Sequence, residues 1–232
     1  MSRRKTIGAN APAEVTVPHL AVDFKPKTKG QYEYVKTMVS NDVTFVTGNS
    51  GTGKSYLALG LAASYYISNK CESIIIARPA VEASFRGLGY IKGSLEEKLE
   101  PFLYPAIAHL KLLLGIDVYY RALRDEHIKF ESLEYMRGRS YNDSFLVLEE
   151  AQNCTTSQLI MLVTRIGTNS KFVINGDTNQ TDLRGSGSGS DLAYVINKVQ
   201  QANLEHFGVS HLTDADILRS PLIGPFLKCF DM

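Results

Sequence analysis

Residues 48 to 55 read Gly48-Asn49-Ser50-Gly51-Thr52-Gly53-Lys54-Ser55, the complete G-x-x-x-x-G-K-[ST] spacing of a phosphate-binding loop. The flanks supply the context such a loop needs. Val43-Thr44-Phe45-Val46-Thr47 ahead of it reads as a buried β-strand, and Tyr56 to Ser68 behind it, rich in Leu, Ala and Tyr, reads as a helix. Glycines let consecutive backbone N–H groups turn inward, and a helix N-terminus adds about half a positive charge. In that geometry Lys54 reaches the β- and γ-phosphates and the Ser55 hydroxyl takes one Mg²⁺ position. Gly48, Asn49, Ser50, Gly51, Thr52, Gly53, Lys54, Ser55 and Tyr56 are therefore the candidate nucleotide contacts. The expected ligand is a nucleoside triphosphate with Mg²⁺.

A phosphate loop alone hydrolyses nothing, because phosphoryl transfer needs a second contact for Mg²⁺ and a group that orients the attacking water. Phe145-Leu146-Val147-Leu148-Glu149-Glu150-Ala151-Gln152 offers both. Its four apolar residues form a strand, and its two acids follow at the C-terminal end, where ligands bind in open α/β sheets. Glu149 is assigned to Mg²⁺ through a bridging water and Glu150 to the attacking water; two solvated strand-end acids are the bland alternative. A third piece ends the next strand, Asn175-Gly176-Asp177-Thr178-Asn179-Gln180. Gln180 is the candidate γ-phosphate sensor there, whereas Asp177 serves equally as a turn residue with an Asx hydrogen bond.

Further out, strands and helices alternate. Ser73 to Ala77, Ile128 to Glu131, Lys171 to Gly176 and Glu205 to Leu212 read as strands. Tyr32 to Ser40, Glu96 to Leu114 with interruptions at Pro101 and Pro105, and Asp191 to Gln200 read as helices. Thr155-Thr156-Ser157-Gln158 is a capping box opening a helix with Leu159, Leu162, Val163 and Ile166 on one face. Residues 78 to 93 read as loop, Arg184 to Ser190 as a Gly/Ser low-complexity loop, and Pro221 to Phe230 as a final element. The expectation is an α/β fold of the P-loop NTPase type: a mainly parallel sheet with helices on both faces. Residues 1 to 18, with Ser2-Arg3-Arg4-Lys5, read as a disordered basic arm, and 19 to 232 as one domain.

Composition narrows the partners. The 232 residues are 44% apolar, enough for a sizeable core, and the net charge is +1. Nucleic acid could therefore be met only by a local patch. Cys71, Cys154 and Cys229 lie far apart without metal-ligand spacing and suit the reduced thiols of a cytoplasmic protein. No apolar run approaches the ~18 residues of a membrane span, and no membrane association is expected.

Several blocks together resemble the PhoH-like family: the phosphate loop, Arg78-Pro79-Ala80-Val81-Glu82-Ala83, Gly93-Ser94-Leu95-Glu96-Glu97-Lys98, Arg137-Gly138-Arg139-Ser140, Glu149-Glu150-Ala151-Gln152-Asn153, Thr164-Arg165-Ile166-Gly167, and Gly176-Asp177-Thr178-Asn179-Gln180-Thr181-Asp182-Leu183. The family resembles the first motor domain of superfamily-one helicases. That likeness implies a RecA-like ATPase core and assembly into a ring, with a hexamer as one form. Some members carry an added PIN nuclease domain and act on RNA; nuclease activity is not expected of these residues. The resemblance also implies an adenine-reading role for Gln31, and an arginine-finger role for Arg219 in Asp216-Ile217-Leu218-Arg219-Ser220-Pro221. Arg139 and Arg165 are second candidates for γ-phosphate or subunit contact. The chain departs from the pattern at Glu149, where Asp is usual, at Ser140, where Thr is usual, and in the loose Gly/Ser stretch.

Three functional classes follow. An ATP hydrolase coupled to RNA or single-stranded DNA leads, with Arg78, Phe85, Arg86 and Lys92 as candidate strand contacts. A small-molecule kinase is disfavoured, because paired acids before Ala-Gln suit water activation and no acceptor lid is evident. A nucleotide-dependent ring scaffold with incidental turnover is the third.

Overall fold

The computed structural model describes residues 22–79, 95–178 and 191–218. Six strands, β1 (Val43–Thr47), β2 (Ser73–Arg78), β3 (Ile128–Ser132), β4 (Ser144–Leu148), β5 (Lys171–Gly176) and β6 (Phe207–His211), form one sheet in the order β3-β2-β4-β5-β1-β6. Every pairing is parallel. All strands therefore end at the same edge, which collects the segments that follow β1, β4 and β5.

The strand sequences run apolar without alternation because both faces are covered. Val46, Ile74, Ile76, Phe145, Val147 and Val173 pack into one core layer with α1 (Lys29–Ser40), α2 (Lys54–Ile67), α3 (Leu95–Leu114) and α4 (Ile116–Arg124). Phe45, Ile75, Leu146, Leu148, Phe172 and Ile174 pack into the other with α5 (Thr156–Val163) and α6 (Asp191–Ala202). Helix α2 is buried from Leu57 through Ser64, as befits a helix that is apolar on nearly every side. The capping box of α5 is present: Thr155 accepts from the Gln158 N–H, and the Gln158 side chain answers the Thr155 N–H.

Two helical readings need correction. Residues 95 to 114 are one helix, uninterrupted at Pro101 and Pro105. An interior proline costs a helix about 3 kcal/mol, but α3 buries Leu103, Ile107, Leu110 and Leu114, each worth roughly 1.5–3 kcal/mol, and that burial offsets the lost backbone bonds. Helix α4 was not anticipated. Gly115, at φ 80°, turns the chain after α3, and α4 then buries Tyr119 and Ala122 on one face. The basic arm, most of the 78–93 loop with Phe85, Arg86 and Lys92, the Gly/Ser segment, the element at 221–230, Cys229, Gln180 and Arg219 lie outside the described residues.

Candidate functional site

The phosphate loop links β1 to α2. Gly53 is the N-cap of α2 in a left-handed conformation (φ 90°), and it offers no side-chain acceptor to the first-turn N–H groups. Any L side chain would be strained there, and the N-terminus of a 14-residue helix without a side-chain cap is suited to an anion. A Cβ on Gly48 would fall 2.7 Å from the Leu212 carbonyl oxygen, so the chain after β6 presses on the loop. The Lys54 ammonium donates to the carbonyls of Gly48 and Asn49. Asn49 Nδ2 donates to Asp214 at 2.7 Å, and the Tyr56 ring packs edge-on against His109 of α3 at 5.5 Å.

Strand order brings the paired acids to this loop. β5 separates β4 from β1, so the acids that follow β4 must reach across two strand spacings, roughly 10 Å. Glu149 does so: Ser55 Oγ donates to its Oε2 at 2.7 Å. From the intervening β5, Asn175 Nδ2 donates to Glu149 Oε1 at 3.1 Å, while its Oδ1 accepts from the buried Tyr34 hydroxyl at 3.0 Å. Glu149 is thereby fixed in orientation by the first turn of α2 and by β5.

Glu150 takes a left-handed conformation, φ 57° and ψ 39°, at the entry to the 3-10 turn Ala151–Asn153. That conformation is uncommon for a non-glycine residue. It breaks the strand alternation that would send consecutive side chains to opposite faces. Gln152 Nε2 donates to Glu150 Oε2 at 2.6 Å, and the Arg78 guanidinium stands 3.9 Å from its Oε1. Gln152 Oε1 in turn accepts from the Asp177 N–H at 3.0 Å, which ties Glu150 to the end of β5. Asn175 and Gln152 were not singled out in the sequence. A carboxamide at each strand end was the available signal, but Asn175 meets Glu149 and Gln152 meets Asp177 only across the gap between the ends of β4 and β5.

The electrostatics follow from the packing. Burial raises the Glu149 carboxyl above its ordinary range; hydrogen bonds from Ser55 and Asn175 counter this, Glu150 adds to the rise, and Lys54 opposes it. The folded chain thus keeps this proton to higher pH than the unfolded chain, so ionising Glu149 subtracts stability as pH climbs through the interval above the usual carboxylate value. Glu149→Gln is accordingly expected to raise the melting temperature of nucleotide-free protein at pH 8 by roughly 2–4 °C, the shift of about 1 kcal/mol in a chain of this size. The two proteins should converge near pH 4. Thermal melts across that range check it, and a variant less stable at pH 8 would refute the sign.

The residues present suit Mg²⁺. Among the described residues no three His, Cys, Asp or Glu side chains are grouped to hold a metal. Mg²⁺, however, is bound through one or two protein oxygens plus phosphate oxygens and water, and Ser55 Oγ with the Glu149 carboxylate is such a pair. Cys154 is buried and its thiol is pushed up to about 12, chiefly by burial, so it offers no thiolate here.

Other candidates stand elsewhere. Gln31 is buried with its carboxamide on backbone: Nε2 donates to the carbonyls of Thr52 and Asp216, and Oε1 accepts from the Lys27 N–H. Arg139 pairs with Glu131 of the edge strand β3 at 3.1 Å, and Arg165 donates to the Arg139 carbonyl. β3 lies four strand spacings from β1, roughly 19 Å, so Arg139 is not gathered at the phosphate loop. A cleft of about 480 Å³ opens at the opposite end of the sheet, among Asp42, Tyr65, Lys171 and His206. Its Lys171 ammonium already serves the Val39 and Asn41 carbonyls, and the cleft is far from the loop chemistry.

A parallel sheet in this order, with a phosphate loop after one strand and paired acids after the next strand but one, defines the P-loop NTPase class with a RecA-like core. The model of the PhoH-like protein family matches residues 23–231, and the chain belongs to that family. A PhoH-like protein of Bacillus subtilis (strain 168) is 37% identical over 219 residues, covering 94% of this chain and 67% of that relative. A Synechocystis PhoH-like protein is 36% identical over 208 residues, covering 89% and 62%. Protein PhoH of Escherichia coli (strain K12) is 33% identical over 229 residues, covering 97% and 62%. The chain thus spans between 62% and 67% of the length of these relatives. Among solved structures, the Pyrococcus furiosus Hef helicase domain overlaps 81% of this chain and 38% of its own, at 11% identity and a TM-score of 0.46. No helix among the described residues is long and apolar enough to cross a membrane.

Proposed function

We propose that the chain is a Mg²⁺-dependent ATP hydrolase whose turnover is coupled to single-stranded nucleic acid, RNA in the first instance. The observation that carries the hydrolase reading is the Ser55–Glu149 hydrogen bond with Glu150 beside it. Three strand ends meet where a triphosphate's terminal phosphates would lie. Lys54 supplies positive charge to the β- and γ-phosphates, and the N-terminus of α2 supplies oriented N–H donors. Glu150, held by Gln152 and Arg78, orients the attacking water and accepts its proton. Ser55 and Glu149 would hold Mg²⁺, which when bound would supply positive charge against that developing on the phosphates.

Water is favoured over a bound acceptor because Glu150 is already tied to the end of β5 through Gln152. That path, Glu150–Gln152–Asp177, lets the segment leading to Gln180 report γ-phosphate loss to the water-orienting carboxylate. The nucleic-acid half and the ring rest on the resemblance to superfamily-one motor domains. In a ring, Arg219 acts on a neighbouring copy's nucleotide, and Gln31 serves the nucleotide site within its own chain.

Steady-state hydrolysis with Mg²⁺, with and without single-stranded RNA or DNA, tests this reading. Basal turnover is expected to rise at least about threefold with RNA, and the stimulation to weaken at higher salt as phosphate contacts are screened. Turnover indifferent to both nucleic acids would remove the coupling but leave the hydrolase. ATP binding without turnover would move the function to a nucleotide-controlled scaffold. Light scattering with and without ATP reads the assembly, and a monomer under both conditions would remove the trans role of Arg219.

A further inference from the structure

A backbone cradle binds an anion only when its N–H groups face inward, so its carbonyls must be turned outward and held there. The holders can be named along the loop. The Thr47 carbonyl accepts from the Leu212 N–H at 2.8 Å and the Asn49 carbonyl from Thr52 Oγ1 at 2.8 Å, while Lys54 serves the carbonyls of Gly48 and Asn49 only until phosphate draws it away. The Gly51 carbonyl accepts from the Leu218 N–H at 3.4 Å, the Thr52 carbonyl from Gln31 Nε2 at 2.9 Å, and the Gly53 carbonyl from the Leu57 N–H at 3.0 Å. Lys54 and Leu57 belong to the loop and its helix. Leu212 and Leu218 belong to the strap that follows β6, and Gln31 to the first turn of α1.

The Asp216 side chain ties the strap to the start of α1. Asp216 is 4% exposed. It accepts from the Thr28 hydroxyl and from the Thr213 N–H at 2.8 Å. The Gly30 N–H also bonds its carboxylate, and a Cβ on Gly30 would fall 2.5 Å from it. Thr28 is the N-cap of α1 and accepts from the Gln31 N–H at 3.1 Å. The Asp216 carbonyl accepts from Gln31 Nε2 at 3.2 Å. Gln31 therefore spends both amide hydrogens on backbone, one on the phosphate loop and one on the strap. Burial alone would raise the Asp216 carboxyl, but the Thr28, Thr213 and Gly30 donors outweigh it and hold the group below the usual carboxylate range. At neutral pH it is an anion wedged between two elements that both grip the loop.

We infer that Asp216 is a positioning residue for polyphosphate binding, setting the loop carbonyls outward through Thr28, Gln31 and the 212–218 strap. The inference rests on reading Gly48–Ser55 as the nucleotide site. It places the action of Gln31 and Asp216 on the phosphates, whereas the family resemblance gives Gln31 the base.

Binding of ATP and of inorganic tripolyphosphate, which has no base, separates the two. Asp216→Ala is expected to weaken both ligands by the same factor, about tenfold for the loss of a charged buried network. KM for ATP should rise in parallel and kcat stay within about threefold, because inward N–H groups hold ground state and transition state alike. Asp216→Asn should recover part of the affinity, since its oxygen still accepts from Thr28. Gln31→Ala leaves the Asp216 carboxylate bonds in place and carries the same expectation should Asp216→Ala fold poorly. Adding it to Asp216→Ala should cost less than the two effects summed. Weakened ATP with unchanged tripolyphosphate would overturn the proposal in favour of base reading. A lower kcat at unchanged KM and affinity would overturn it in favour of folding stability alone. If Lys54→Ala also leaves tripolyphosphate binding intact, the nucleotide-site reading fails first, and the inference with it.

Discussion

Lys54→Ala is expected to lower kcat/KM for ATP hydrolysis by about a thousandfold or more, the largest effect of any single substitution in this chain. The ammonium stands at the mouth of the loop, bound to the carbonyls of Gly48 and Asn49. A triphosphate offers it stronger, charge-assisted acceptors in their place. Catalysis of phosphoryl transfer consists almost wholly of positioning and charge stabilisation, so deleting the loop's point charge removes ground-state affinity and transition-state stabilisation together. The fold should survive, because the fully buried Leu57, Leu59 and Leu61 of α2 are untouched. Hydrolysis assays beside a thermal melt check both halves. Turnover within tenfold of the parent would place any hydrolysis outside this loop.

Glu150→Gln is expected to separate binding from chemistry. Nucleotide affinity should change by less than about threefold, while kcat falls by about a thousandfold, within the range of general-base loss. The amide keeps the length of the side chain and can still meet Gln152, but it cannot accept the proton of an attacking water. Its charge also no longer faces Arg78, 3.9 Å away and only 23% exposed at the side chain. Single-turnover hydrolysis and equilibrium binding read the two quantities independently. A variant that binds weakly but turns over bound ATP at the parent rate would reassign the water to another group.

The part of the site legible beforehand was the part written in consecutive residues. Gly48 to Ser55 carry the loop, its left-handed turn and its cation in eight positions, and β1 and α2 flank it as their apolar patterns required. Glu149 and Glu150 were legible as acids ending an apolar strand. The two helical corrections have a shared cause. Local propensity put breaks at Pro101 and Pro105 and was silent over Ile116 to Arg124, whereas packing against α2 and β3 decided both. Side chains whose partners sit on other elements were illegible. Asn175 acts on Glu149, 26 residues away in the chain, and Thr28 meets Asp216 across 188 residues. No pattern in a single sequence marks such pairs.

By itself, then, the sequence determined the chemistry available here: an anion cradle, a lysine, a hydroxyl, two adjacent carboxylates, and a strand–helix alternation that demands a parallel sheet. Which of these groups meet was decided by the tertiary structure alone. The strand order places β5 between β4 and β1, so that Glu149 reaches Ser55 past Asn175. The return of the chain after β6 carries Asp216 to the first turn of α1, where Gln31 holds the Thr52 carbonyl. The physical reason is range. Propensity, capping and loop geometry act over a few residues, whereas strand order is set by burying both faces of one sheet at once, a condition satisfied only by the whole chain.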